Sequence, residues 1–195
     1  LVLPKNFFFE LLESSVREAL DKALDRLRVA GFTFVERTVD GLEDAAAVQF
    51  LTICPEATLA NWEHLIGAPE GLGEDVRVRL EIGQFMAGID YLRAQRYRQL
   101  LRSRLHQALE GATAILTPTL VTGAPKIGSA TVAVDGAALP VHTAMTRCTA
   151  VFNLTGMPAI TLPCGQDRDG LPVGLQLAGR IGEDTALLTA AAAVE

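Results

Sequence analysis

Specialised residue types are scarce in this sequence of 195 residues. It holds three cysteines, three histidines, one tryptophan and only 6% aromatic residues. Cys54, Cys148 and Cys164 lie far apart and form no C-x-x-C pair or Cys/His cluster. That spacing argues against a disulfide framework and fits three buried, reduced thiols of a cytoplasmic protein. His64, His106 and His142 have no metal-ligand spacing either, so no metal site is expected. Basic residues are in deficit: 17 Lys and Arg stand against 23 Asp and Glu, a net charge of −6. Without a basic excess or run, general nucleic-acid binding is not expected, because the phosphates need cations. No apolar stretch approaches the roughly 20 residues that cross a bilayer, so no membrane span is expected. No internal repeat or low-complexity segment breaks the chain.

What is present is apolar and ordered into elements. Hydrophobic residues make up 49% of the sequence, enough for a domain of this size to bury roughly 70% of its unfolded surface. Leu1–Pro4 reads as the end of a buried strand. Ser15 and Glu18 match the S-x-x-E capping box, and Val16, Leu20, Leu24 and Leu27 follow at helical spacing up to Gly31. Phe32 to Val39 is rich in β-branched and aromatic residues and predicts a second strand. Strand, helix and strand in succession favour an α/β fold.

Further on, Leu42–Phe50 and Glu56–Ile66 predict helices interrupted at Pro55, and Gly67–Gly73 a loop. Two more helices are predicted at about Val76–Met86 and Tyr91–Glu110, the second capped by Asp90 and closed by Gly111. Its arginines (93, 96, 98, 102 and 104) spread around the cylinder and read as a solvated or salt-bridged face, while Leu100, Leu101 and Leu105 supply the apolar stripe. Ala114–Thr119 predicts a short buried strand, and Val121–Pro140 a long loop. Ala159–Leu162 and Val173–Ala178 predict a hairpin around Asp169-Gly170, and a last helix begins at Thr185.

Residue types and spacing alone yield no catalytic constellation. Ser14-Ser15 is explained by the helix start, Gly165 follows Pro-Cys rather than a G-x-S-x-G elbow, and Asn153-Leu154-Thr155 is a chance sequon. Longer motifs say more. Leu116-Thr117-Pro118-Thr119, Phe152 to Ile160 (FNLTGMPAI), Leu162-Pro163-Cys164-Gly165 and Asp169 to Leu177 (DGLPVGLQL) stand in order and at spacings that resemble the C-terminal half of the amidase signature family. Upstream, Arg79-Leu80-Glu81-Ile82-Gly83 resembles the family's R-I-x-x-G helix start, Tyr91–Leu101 the helix after it, and Leu1–Val35 the strand and helix that open this half.

The resemblance implies an α/β/α sandwich with a central mixed sheet covered by helices. It further implies hydrolysis of a carboxylic amide, or transfer of its ammonia, by a Ser–cis-Ser–Lys triad, with no metal or organic cofactor. In such a triad the first serine attacks the carbonyl and the neutral lysine takes its proton through the middle serine. Backbone N–H groups hold the oxyanion, and water cleaves the acyl-enzyme. The family's triad lies in its N-terminal half. Here the lysines are Lys5, Lys22 and Lys126, none in the family's lysine motif, and there is no glycine-rich Ser-Ser segment. No catalytic residue is therefore carried over.

The chain opens at Leu1-Val2-Leu3-Pro4 and stops within an alanine-rich helical run at Val194-Glu195. The expectation is residues 1–195 as the C-terminal portion of an amidase signature domain, its catalytic half absent. Its partners would be that missing half and a small-molecule amide. A homodimer stays open, and the chain alone is expected to be inactive, with half a sheet leaving an apolar edge and an uncovered face. The substrate-binding candidates are Phe152, Arg147 and Arg79. Phe7–Phe9, Trp62 and Phe85 are further wall candidates, each weighed against ordinary core packing. Pro118, Pro158 and Pro163 are expected to shape turns, and Gly156, Gly165 and Gly174 to allow close backbone approach. The family's tRNA-dependent amidotransferases carry an acidic residue ahead of the Asn motif in their A subunit. Here that stretch is Thr146-Arg147-Cys148-Thr149, which resembles a free amide hydrolase instead. The alternatives are an inactive binding module of the same fold and the amidotransferase A subunit.

Overall fold

The computed structural model describes residues 1–195. In chain order the regular elements are β1 (Val2–Pro4), α1 (Ser14–Val29), β2 (Val35–Arg37), α2 (Ala45–Ala60), α3 (Trp62–Gly67), α4 (Glu74–Gly83), α5 (Gly88–Ala108), β3 (Ile115–Pro118), β4 (Thr131–Val134), β5 (Ala137–Pro140), α6 (Val141–Thr146), α7 (Thr149–Thr155), β6 (Ala159–Gln166), β7 (Pro172–Ala178) and α8 (Asp184–Val194). Five strands form one sheet in the order β2-β1-β3-β7-β6, and β4 and β5 make a separate hairpin. β1 runs parallel to β2 and β3, whereas β7 is antiparallel to both β3 and β6. The sheet is therefore mixed and flanked by helices, as the expected α/β fold requires.

The centre of the sheet is dry. All four residues of β3 are buried, and so is every residue of β7 from Leu175 to Ala178. α1 lies over β6 and β7 with Val16, Ala19, Leu20, Ala23, Leu24 and Leu27 turned inward. Gly165 lets it approach: a Cβ there would stand 3.0 Å from the Ala19 Cβ. At the end of α1, Gly31 takes φ 93°, and the Gly31 and Phe32 N–H groups donate to Arg28 and Leu27. This is the paired closure that frees a helix end of unmet carbonyls. The helix start departs from expectation, because no capping box forms. Glu13 is the cap residue, and Ser15 Oγ donates to its carboxylate at 2.9 Å. Glu13 also accepts from Thr122 and the Gly123 N–H, a tertiary anchor that local pairing with Glu18 does not offer.

Other boundaries differ for similar reasons. α2 continues through Pro55 although the ring removes a helix hydrogen bond at a cost of about 3 kcal/mol. Its packing against α4 and α5 outweighs that cost. Thr58 Oγ lies 2.7 Å from both the Cys54 and Leu80 carbonyls, and Gly83 sits so near that a Cβ would fall on Thr58 Oγ and the Cys54 carbonyl. The glycine of the R-I-x-x-G motif is thus the contact point of two helices. α5 starts at Gly88 with Ala87 as cap residue; Asp90 lies in its first turn, paired with Arg93 at 3.3 Å. Its buried face is Ala94, Leu101, Leu105 and Ala108, with Leu100 turned outward. Arg102 and Arg104 are not merely solvated, since they donate to the Thr155 and Asp40 carbonyls.

β2 is shorter than Phe32–Val39 and wholly exposed as an edge strand, with Phe32 and Phe34 packing partly against the core. The expected long loop over Val121–Pro140 contains the β4–β5 hairpin. Its turn residues Asp135 and Gly136 both take left-handed φ, 49° and 78°, the pairing that suits a right-twisted two-residue hairpin. The β6–β7 hairpin forms as expected, and β6 runs on to Gln166 because a register shift between Pro163 and Gly165 accommodates the proline within the strand. Pro163 therefore marks a bulge rather than a turn. Gly156 closes α7 in the left-handed region at φ 72°. The two sheet edges, β2 and β6, have no further strand beside them in this chain.

Candidate substrate-facing rim at the strand ends

Three parallel strands, β1, β2 and β3, end on the same side of the sheet, and ligands of open α/β sheets bind outside such carboxyl ends. Two segments leave the sheet there, Lys5–Leu12 after β1 and Thr119–Gly123 after β3. The first is pinned by Asn6, whose side chain donates to the Val39 carbonyl at 2.9 Å and accepts from the Val39 N–H at 3.1 Å. One amide side chain thereby prolongs the β1–β2 ladder. The next residue, Phe7, has φ 69°, and the Phe8 N–H donates to the Asn6 carbonyl at 2.9 Å. A three-residue γ-turn with a bulky residue at positive φ is strained and persists only where its surroundings hold it.

Aromatic packing holds it from below. Phe7 meets Phe8 edge-on with ring centres 5.2 Å apart, and Phe8 stacks on Phe152 at 5.7 Å and 9°. From above comes Arg147, in the joint between α6 and α7. Its guanidinium carbon lies 3.8 Å from the Phe7 ring centre, and Nη2 donates to the Phe7 carbonyl at 3.2 Å. The Arg147 Nε–H is shut from solvent and has no acceptor.

The second segment is anchored by Glu13. Burial works to raise its pKa. Hydrogen bonds from the Gly123 N–H, Ser15 and Thr122, with the Arg168 charge, outweigh burial and hold the carboxyl below its usual value. Beside it a polar row crosses the sheet: Thr119 Oγ meets Thr161 Oγ at 3.2 Å, and Gln176 Nε2 donates to Thr117 Oγ at 3.1 Å. Gly174 keeps that corner open, because a Cβ there would press on Thr161 and Thr119.

The structure separates the three substrate-binding candidates. Arg147 stands on the rim. Phe152 is 1% exposed, a core ring behind Phe8 and not an open wall. Arg79 projects from α4 into solvent with no hydrogen bond or ion pair, its charge felt by the Cys54 thiol. Among the other wall candidates Phe7 and Phe8 are buried, while Trp62 on α3 and Phe85 in the turn between α4 and α5 are exposed. Sequence reasoning missed Asn6, Glu13 and Thr122, since nothing in their spacing couples residue 6 to 39 or 13 to 122.

Elsewhere the chemistry is quiet. Burial pushes the Cys148 thiol up to about 12 and the Cys164 thiol to about 11, which keeps both protonated and poor nucleophiles. No group of three or more His, Cys, Asp or Glu is placed to hold a metal ion, and no helix is long and apolar enough to cross a membrane. Two open polar clefts lie away from Phe7: one of about 400 Å³ beside Arg37, Asp40 and Arg104, and one of about 270 Å³ beside Lys22, Arg26 and Arg168.

A comparison with family models matches residues 2–188 to the model described as Amidase. The chain belongs to the amidase family. An amidase of Pseudomonas putida is 34% identical over 194 residues, covering 99% of this chain and 41% of that protein. The glutamyl-tRNA(Gln) amidotransferase A subunit of Geobacter metallireducens is also 34% identical, over 216 residues, covering 97% of this chain and 43% of that protein. A crystal structure of an amidase superposes with a TM-score of 0.93 at 30% identity, covering 99% of this chain and 44% of that one. This amidase-family chain thus spans about two-fifths of the length of the curated relatives it matches.

Proposed function

We propose that this chain is the C-terminal portion of an amide hydrolase that cleaves a small carboxylic amide to carboxylate plus ammonia or amine. The observation that carries the reading is the family match over residues 2–188, joined to the 34% identity with the Pseudomonas amidase. A Ser–cis-Ser–Lys triad would act from the missing N-terminal half, with acyl-enzyme chemistry that requires neither metal nor organic cofactor. In this reading the present chain supplies the sheet centre and a rim of the acyl pocket. Phe152 is a positioning residue acting through Phe8 and Phe7, Arg147 faces substrate, and Arg79 on α4 is assigned to the substrate side by the motif resemblance alone. The chain without its other half has no triad and is inactive. The whole protein works in the cytoplasm, as its buried thiols fit.

The test is to assay the full-length protein on a panel of simple aliphatic and aromatic amides, following ammonia release. Release that disappears on replacing the motif serine is the expected result. Failure to hydrolyse any amide, with the serine and lysine in place, would reassign the chain to a binding module of the same fold.

A second reading, an amidotransferase A subunit, is favoured by the equal identity to the Geobacter protein. It predicts glutaminase activity and companion subunits. Thr146-Arg147 in place of the acidic residue supports the free hydrolase over it.

A further inference from the structure

We propose that the cleft between the end of β2 and the last turns of α5 is a binding site for a small zwitterion, a molecule that carries both an ammonium and a carboxylate group. The proposal does not rest on the amide-hydrolase reading.

The cleft holds about 400 Å³, the size of a small-molecule site. Arg37, Asp40, Arg104 and Glu110 line it, two positive and two negative side chains around one space. None of the four takes part in an ion pair. The one side-chain hydrogen bond among them runs from Arg104 Nη1 to the Asp40 carbonyl, at 2.9 Å. The cleft keeps the opposite charges apart, so both carboxylates and most of the guanidinium N–H groups remain open to a bound molecule.

Arg104 is set in place before any ligand arrives. Gly41 turns at φ 85°, and a Cβ there would fall on the Tyr97 hydroxyl and press on Arg104 Nη1. The hydroxyl donates to Asp44 at 2.8 Å, and burial together with Asp44 pushes its pKa up to about 12, so it stays protonated. Packed into this corner, the half-buried Arg104 spends one nitrogen on the fold and keeps two without a partner. A guanidinium held so loses little freedom on taking a carboxylate. The other sign is served by Glu110 and by the carbonyl end of α5, whose partial negative charge favours an ammonium group. A plain anion would face Asp40 and Glu110, and a plain cation would face Arg37 and Arg104. A zwitterion meets all four, and the lining charges cancel as its own do. Arg104 and Glu110 are about 9 Å of helical rise apart, which suits groups separated by several carbons better than those of an α-amino acid.

The experiment uses the full-length protein and ligand-observed NMR titrations with 5-aminopentanoate, pentanoate and pentylamine. Concentrations run to about 20 mM, because a few half-exposed charge contacts give about millimolar affinity. Wild type is expected to saturate with 5-aminopentanoate and to bind either half-molecule about threefold or more weakly. Arg37→Gln and Glu110→Gln, both at exposed positions, should each lower the affinity for the zwitterion about threefold or more. Lys126→Gln, outside the cleft, should leave it unchanged. The proposal is overturned if wild type does not saturate, as it would not if the rest of the protein filled the cleft. It is equally overturned if the three probes bind alike, if both cleft variants bind as wild type does, or if Lys126→Gln weakens binding as much as they do.

Discussion

The sheet core and the helical lobe of residues 45–92 contain similar apolar residues and treat them differently. In the core, β1, β3 and β7 are covered by helices, and Val2, Ile115, Leu116 and Leu177 are fully buried. In the lobe, α2 has apolar residues on every side. Val48, Thr52 and Thr58 face α4, α5 or α7, while Phe50 and Ile53 line an outward stripe. Ile66, Ile82, Phe85, Ile89 and Leu92 on neighbouring segments are likewise exposed. A helix that is apolar all round normally lies inside a larger structure. Burial in this chain is therefore a property of the sheet, which can be covered from its own sequence. The lobe has only as much cover as α2, α4 and α5 give one another and α7 gives α2.

That contrast can be broken or sharpened by substitution. The largest effect is expected from Leu177→Ala in the full-length protein. Removing a fully buried side chain from the central strand β7 should cost about 2–5 kcal/mol in urea or guanidinium unfolding. A loss below about 1 kcal/mol would mean that the sheet centre is loosely packed. Next is Gly83→Ala in the lobe. Alanine is the better helix former by about 1 kcal/mol, but its Cβ falls on the Cys54 carbonyl, a backbone atom that cannot swing away. A net loss of about 1–3 kcal/mol is expected, and a gain would show that α2 and α4 are not tightly docked.

Glu13→Gln should cost about 1 kcal/mol at neutral pH, the difference between charged and neutral acceptors. Its sign with pH follows from the lowered folded pKa. The stability contributed by the carboxylate is complete above the unfolded value near 4.5 and is lost as pH falls through the folded value. Wild type and variant should therefore converge on acidification, and curves that stay parallel from about pH 7 to about pH 3 would contradict the anchor. The smallest effect is expected for Phe85→Ala, whose ring is 88% exposed. A change within about 0.5 kcal/mol is expected if the lobe is open. A loss beyond about 1 kcal/mol in the full-length protein would show that something covers it, and the contrast between core and lobe would belong to this chain alone.

Legibility in the sequence followed the range of the interaction. α1 and its glycine closure, the buried strand β3 and the β6–β7 hairpin were readable because neighbouring residues specify them. The capping box at Ser15, the break at Pro55 and the cap at Asp90 are locally reasonable. Each lost to a distant partner or a different local geometry: Thr122 and Gly123 for Glu13, the packing of α4 and α5 for α2, and an earlier start at Gly88 for α5. The β4–β5 hairpin carries a readable signal in Asp135-Gly136, masked by the glycine and proline around it, which suggest a loop. For the rim, the motifs point to Arg147 by position, but its stacking on Phe7 joins residues 140 apart in sequence, and no spacing rule reaches that far.

By itself, then, the amino-acid sequence determined the α/β alternation, the hairpin turn at Asp169-Gly170 and the family, because periodicity, turn chemistry and ordered motifs are local properties of a chain. Tertiary structure decided which apolar faces are covered, that Gly83 is a helix contact, and that Phe152 supports the rim from within the core. It also decided that Arg147 stands over a strained Phe7 with one donor unmet. Those outcomes depend on which distant groups arrive at the same place, and burial, desolvation and hydrogen-bond partnership are set only there.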